Sequence, residues 1–154
     1  MDDELKIEKL SGENFNEFIK LVEIFANFEK LTPPDKNAKK RLKIDGIGKN
    51  PKYEAYLVKT SGKYAAYTIF YMAYSSFSAM PKLFVEDIFI LEEFRRKGLG
   101  KKILDFIVGI AKKSECMAVD LNVLDWNTNA ILFYKKHGFK YLNWELYRLE
   151  LQLI

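Results

Sequence analysis

The sequence predicts a mixed α/β fold, a mostly antiparallel central sheet flanked by helices. Three observations carry that prediction. Strand-like stretches at 54–60, 64–74 and 83–90 follow one another with only turns and short loops between them, the pattern of an antiparallel meander. From 83 onward strand and helix patterns alternate, which sets helices against a sheet. The 154 residues, 49% of them apolar, suffice for one core, and no Ser/Gly/Pro-rich linker interrupts them. A single domain over 1–154 is therefore expected.

Each element has its own justification. Leu5 and Ile7 alternate with charged neighbours, as in a short half-buried strand. Phe15, Phe18, Ile19, Val22, Phe25 and Ala26 recur at helical spacing, and Asn14 with Glu17 resembles a capping box at the start. Thr32-Pro33-Pro34-Asp35 ends that helix, and Asp35 is placed to cap a second one ending near Asp45-Gly46. Ser61-Gly62-Lys63 is the turn between the next two strands. Leu99, Ile103, Phe106, Ile107, Ile110 and Ala111 make the apolar stripe of a third helix. A strand at 117–123, a helix at 128–137 closed by Gly138, and one or two final strands over 139–153 complete the expectation.

Composition excludes several classes. No run of about 18 apolar residues is present, so no membrane partner is expected. The acidic start Met1-Asp2-Asp3-Glu4 lacks the apolar stretch of a secretory signal, and a cytoplasmic protein is expected. With one cysteine, Cys116, and one histidine, His137, neither an internal disulfide nor a His/Cys metal site is expected. An aromatic content of 15% is too high for a disordered chain.

The net charge of +4 matters less than its distribution. Arg95-Arg96-Lys97-Gly98-Leu99-Gly100-Lys101-Lys102 places five cations in eight positions, between a strand ending at Ile90 and a helix starting near Gly98. A helix start exposes unpaired N–H groups and the positive end of the helix dipole. Glycines there let a large anion approach the backbone. The segment reads as a diphosphate cradle. Walker spacing is absent, and a dinucleotide fingerprint needs glycine where Ile103 stands. No aromatic-interleaved basic stripe accompanies the cations, which argues against a nucleic-acid partner.

The run from Arg95 to Gly100 follows Arg/Gln-x-x-Gly-x-Gly/Ala and resembles the acyl-CoA loop of the Gcn5-related N-acetyltransferase (GNAT) superfamily. Five blocks are similar, in order and spacing, to the diamine (spermidine/spermine) acetyltransferase family. They are Phe25-Ala26-Asn27-Phe28-Glu29, Asp45-Gly46-Ile47-Gly48-Lys49-Asn50-Pro51, Val85-Glu86-Asp87-Ile88-Phe89-Ile90, Asp125-Trp126-Asn127 and Phe133-Tyr134-Lys135-Lys136-His137-Gly138. The resemblance implies the acyl-CoA N-acyltransferase fold, acetyl-CoA (coenzyme A) as acetyl donor, a small-molecule amine as acceptor, and a homodimer. Residue by residue it implies cofactor contacts from Ile88, Phe89, Ile90, Arg95, Arg96, Lys97, Gly98, Leu99, Gly100, Lys101, Asn127, Ala130 and Tyr134. Amine contacts are implied for Phe28, Glu29, Glu86, Asp87, Leu121, Asn122 and Trp144.

Amine acetylation needs a neutral amine and a proton for the departing thiolate. An alkyl amine with a pKa of about 10.4 is protonated at pH 7, so a general base must act. Glu86 resembles the family's base, with Asp87 its competitor, since alternation puts only one of the pair on a given face unless a bulge intervenes. Tyr134 fits the general acid. Glu29, Asp87, Trp144 and Tyr147 offer carboxylates and aromatic faces to a cation. Two departures from the family remove acidic residues, at Ser75-Ser76-Phe77 and at Tyr141-Leu142-Asn143. They weaken the case for spermine and leave a diamine, spermidine or a lysine-like amine. Other readings are acetylation of a protein N-terminus, or a catalytically weak acyl-CoA-binding module. The apolar run from Phe139 to Ile154 needs covering, and a second subunit would cover it.

Overall fold

The computed structural model describes residues 4–152; Met1 to Asp3 of the acidic start, and Leu153 and Ile154 of the apolar end, lie outside the described residues. Strands β1 (Lys6–Lys9), β2 (Glu54–Thr60), β3 (Lys63–Ser75), β4 (Met80–Ile90) and β5 (Val119–Leu121) form one sheet in that spatial order. Every pairing is antiparallel except β4 with β5, which is parallel. The β2–β3 joint follows from its turn. Ser61 and Gly62 have φ of 50° and 75°, the left-handed pair that a two-residue hairpin needs, and Thr60 pairs with Lys63.

Helices cover both faces. Helix α1 (Phe15–Phe28) packs Phe18, Ile19 and Leu21 against Ala55, Leu57, Tyr67 and Phe89. The third helix, α3 (Leu99–Lys113), packs Leu99, Ile103 and Ile107 against Val58, Phe70, Leu83 and Val85. With both faces covered, β3 loses its polar side and is buried from Ala65 through Phe70. Burying a side chain such as Phe18 contributes about 2–3 kcal/mol.

One local expectation changes. Asn14 precedes α1 but makes no capping box: its Oδ1 accepts from Ser11 N–H at 2.9 Å and its Nδ2 donates to Lys9 O at 3.1 Å. The side chain ties the helix start back to β1, and Glu17 pairs with Lys20 instead. Helix α2 (Lys36–Ile47) is capped as expected by Asp35, whose Oδ1 accepts from Ala38 N–H at 2.7 Å, and it ends at Ile47, next to Asp45-Gly46.

Residues 1–122 and 123–154 form two compact units. The sheet and α1 to α3 belong to the first. The second contains α4 (Thr128–Lys136), where Asn127 Oδ1 accepts from Ala130 N–H at 3.3 Å and Gly138, at φ 90°, follows the helix end. The strands expected over 139–153 do not form among residues 139–152. Apolar and aromatic residues suit a buried strand, but a strand also needs a neighbour to complete its ladder. Here Trp144 and Tyr147 are 74% and 84% exposed. The expected strand at 117–123 shortens to β5, which ends with the first unit's last residues.

Candidate active site

Strand β4 positions the acidic pair through a register break. Ile69 pairs with Asp87 and Phe70 with Val85, so Glu86 is an extra residue without a partner opposite. This is a β-bulge, and it resets the alternation. Leu83 and Val85 face α3, whereas beyond Glu86 it is Ile88 and Ile90 that join that side. Phe89 packs on the α1 side, and Asp87 reaches Tyr67 there. The bulge that strand alternation alone could not reveal is thus present. Thr68 Oγ1 donates to the Asp87 carbonyl at 2.8 Å.

Two carboxyls here are displaced by their surroundings. Burial pushes the Asp87 carboxyl up to about 6, against the Tyr67 hydrogen bond that lowers it, with Glu86 and Glu29 adding to the rise. Glu29, immediately after α1, is raised by burial and then by Glu86. Burial, then Asp87, holds the Tyr67 phenol far above its ordinary range. No ion pair among the described residues includes Glu29, Glu86 or Asp87.

An aromatic wall stands beside them. Phe25 stacks on Phe89 at 4.9 Å, and Phe28 lies 6.2 Å from Phe89. The Arg95 guanidinium carbon sits 4.9 Å from the Phe28 ring centre and 5.5 Å from that of Phe89, while Arg95 Nε donates to Ile90 O at 2.7 Å.

The sheet also opens here. The last β4–β5 pair is Val85 with Leu121, yet β4 continues to Ile90, so its edge over 86–90 has no strand beside it among the described residues. Leu91 N–H donates to Ala65 O at 2.9 Å, which fixes the phase of the ladder. Peptide groups of 89 and 91 face β3, and those of Ile88 and Ile90 face the open edge. Ile90 O is taken by Arg95, leaving the Ile90 N–H and both Ile88 groups available to an extended ligand.

Below that edge lies the cation loop. A short 3-10 turn, Glu92–Phe94, leads to Arg96 at φ 60° and Gly98 at φ 78°, and α3 starts at Leu99. The first-turn amides at Leu99, Gly100 and Lys101 have no intrahelical acceptor. Apart from Gly98 and its two chain neighbours, no atom of the described residues lies within 4 Å of where a Gly98 Cβ would stand, so the backbone is open to an anion. Arg96 is exposed, Lys97 Nζ lies 5.8 Å from the Phe94 ring centre, and Lys101 Nζ pairs with Asp105 at 2.5 Å. These residues fit the diphosphate of an acyl-CoA.

Of the remaining residues named from sequence, Leu121 ends β5, and Asn122 is exposed as the first unit's last residue. In the second unit, Ala130 lies in α4, bonded to Asn127, and Trp144 is exposed in the tail. Tyr134 lies in α4 against Phe133 and Phe139, at 5.3 and 5.4 Å, and burial pushes its phenol up to about 12. Sequence reasoning missed Tyr67 and Thr68. Their signal is the β3–β4 register, which no spacing within either strand reveals.

Comparison with known proteins places the chain. The model of the acetyltransferase (GNAT) family matches residues 18–139. The chain is 30% identical over 144 residues to the thialysine N-epsilon-acetyltransferase of Bos taurus, covering 86% of this chain and 84% of that protein. It is 25% identical over 143 residues to the Homo sapiens spermidine/spermine N(1)-acetyltransferase-like protein 1, covering 86% of this chain and 20% of that one. A solved structure of a possible acetyltransferase from Clostridium difficile 630 shares the fold with a TM-score of 0.83 at 18% identity, over 97% of this chain and 99% of that one. The bulged strand, the glycine loop and α4 all fall within the matched span, and the chain belongs to the acetyltransferase (GNAT) family as an acetyl-CoA-dependent enzyme related to the thialysine and spermidine/spermine acetyltransferases.

Proposed function

We propose that the protein transfers the acetyl group of acetyl-CoA directly to the primary amine of a diamine, a polyamine or a lysine-like molecule. The observation that carries this reading is the trio Glu29, Glu86 and Asp87: Glu86 and Glu29 help raise the Asp87 carboxyl, Glu86 helps raise Glu29, and no ion pair among the described residues includes any of the three. Such a group attracts an external cation, and the aromatic faces of Phe28 and Phe89 beside it suit an ammonium. In this reading Glu29 and Asp87 hold the ammonium, and Glu86, at the bulge, removes its proton. The nitrogen attacks the thioester carbon, the N–C bond forms and the C–S bond breaks. The Tyr134 phenol, protonated at neutral pH because burial holds its pKa at about 12, gives its proton to the thiolate, and the phenolate is reprotonated by the second proton that the acylated nitrogen sheds, leaving a neutral amide and a free thiol. Ile88 and Ile90 pair with the pantetheine amides through backbone, and the 98–101 turn with Arg96, Lys97 and Lys101 takes the diphosphate.

A short or lysine-like acceptor is favoured over spermine. Ser75-Ser76-Phe77 and Tyr141-Leu142-Asn143 offer no carboxylate to distal amines, and the Bos taurus relative is named for thialysine. The reading includes a single functional domain, supported by a family match that runs across both compact units. It also includes a cytoplasmic location, supported by the single cysteine, and a homodimer, supported by the exposed apolar tail. No helix among the described residues is long and apolar enough to cross a membrane. The test is an acceptor panel with acetyl-CoA, read by free thiol release. A diamine, spermidine or lysine analogue is expected to surpass spermine in kcat/KM, and thiol release with no amine at all would sink the reading.

A further inference from the structure

Arg95 opens the cation loop, yet its side chain is engaged elsewhere. Its Nε donates to Ile90 O at 2.7 Å, and its guanidinium lies across two rings, 4.9 Å from Phe28 and 5.5 Å from Phe89. No carboxylate pairs with it among the described residues. We propose that Arg95 is a positioning residue for the amine site's aromatic wall and not a ligand of the acetyl donor's phosphates. This inference rests on the amine-acetyltransferase reading above.

The physical case begins with Phe28. It is the last helical residue of α1, it is 38% exposed, and Glu29 follows it directly. The chain then turns at Lys30, with φ 59°. A helix end of this kind frays unless something holds it. Arg95 supplies one hold, beside the ring contacts of Phe28 with Phe25 and Phe89. A planar, weakly hydrated guanidinium stacks on aromatic faces as an ammonium does not, and the Ile90 carbonyl anchors its inner nitrogen. The Phe28 ring, and with it the Glu29 carboxylate, is thereby tied to β4 next to Asp87. The donor's diphosphate has its own site in the backbone amides of 99–101 and the side chains of Arg96 and Lys97.

Arg95→Met, Arg95→Lys and Phe28→Leu separate the two roles. Acetyl-CoA affinity is read by calorimetry and amine KM by thiol release. With Arg95→Met the amine KM is expected to rise about tenfold, the scale of one cation–π contact plus one charged hydrogen bond. Acetyl-CoA affinity is expected to stay within about threefold, since the backbone cradle is unaltered. Arg95→Lys retains the charge and not the plane, so it is expected to behave like Arg95→Met. Phe28→Leu leaves the loop intact, is expected to raise amine KM similarly, and is expected to be non-additive with Arg95→Met. Weakened acetyl-CoA binding in Arg95→Met that Arg95→Lys restores would overturn the proposal, as would full additivity with Phe28→Leu. Wild-type protein that acetylates no amine would overturn the underlying reading and this inference with it; turnover with an unmoved amine KM in Arg95→Met overturns this inference alone.

Discussion

The Tyr67 hydroxyl donates to Asp87 Oδ2 at 2.9 Å, from one strand to the next across the bulge at Glu86. The bond favours the ionised carboxyl and opposes the burial that lifts Asp87 to about 6. Only the ionised form attracts an ammonium. The kcat/KM for amine is therefore expected to fall as pH drops through about 6. Tyr67→Phe keeps the ring and removes the donor, so the acidic limb should move to higher pH. Paired pH–rate profiles of wild type and Tyr67→Phe check both points.

The same carboxyl bears on stability. Its folded pKa of about 6 lies above its ordinary value of 3.8, so between those pH values the folded chain retains a proton that the unfolded chain has released. Stability contributed by Asp87 is thus lost as pH rises through that window. Asp87→Asn has no such loss and should melt higher than wild type at pH 7.5, by on the order of 2 kcal/mol, with the gap closing toward pH 4. Thermal melts at the two pH values test it; a gap unchanged with pH contradicts it.

Tyr134→Phe should lower turnover by about 10²-fold, the range for loss of a general acid, with acetyl-CoA affinity nearly intact. Unchanged turnover would return Tyr134 to packing between Phe133 and Phe139.

Gly98→Ala tests the loop backbone. The position has φ 78° and open space around it, so the substitution costs left-handed strain of about 1 kcal/mol and no clash. A methyl at the cradle should also shrink the rise in Tm that acetyl-CoA gives. Scanning fluorimetry with and without acetyl-CoA measures both effects.

Light scattering at micromolar concentration should return about twice the 18.0 kDa monomer mass. Leu146→Asp with Tyr147→Asp, both in the exposed tail, should shift it toward the monomer. A wild-type monomer would remove the dimer from the proposed function.

Most of the fold was legible because local chemistry decided it. Asp35, Ser61-Gly62 and the α3 stripe each specify their element within a few residues. Two parts of the candidate site were not. The bulge at Glu86 arises from the pairing of β3 with β4, and Tyr67 approaches Asp87 from 20 residues away in sequence. The tail misled for the converse reason: its apolar and aromatic residues suit a strand, but no strand forms among residues 139–152. Asn14 shows the same limit in miniature, since two acceptable uses of its amide differ only in what lies nearby.

The early parting of β4 and β5 has a consequence for how such a sequence can drift. An edge made of peptide groups is blind to the identity of the residues that carry it. Ile88 and Ile90 turn their side chains to the core on the α3 side while their amides face outward, so each position answers to packing alone. Any β-branched or comparable apolar residue would satisfy it. Retention of the fold with a Clostridium difficile protein at 18% identity is what such tolerance allows. Under the proposed function, selection for choice of acceptor would fall on a separate set of residues, those of the α1 end and the bulge, and the two halves of the reaction could evolve at different rates on one sheet.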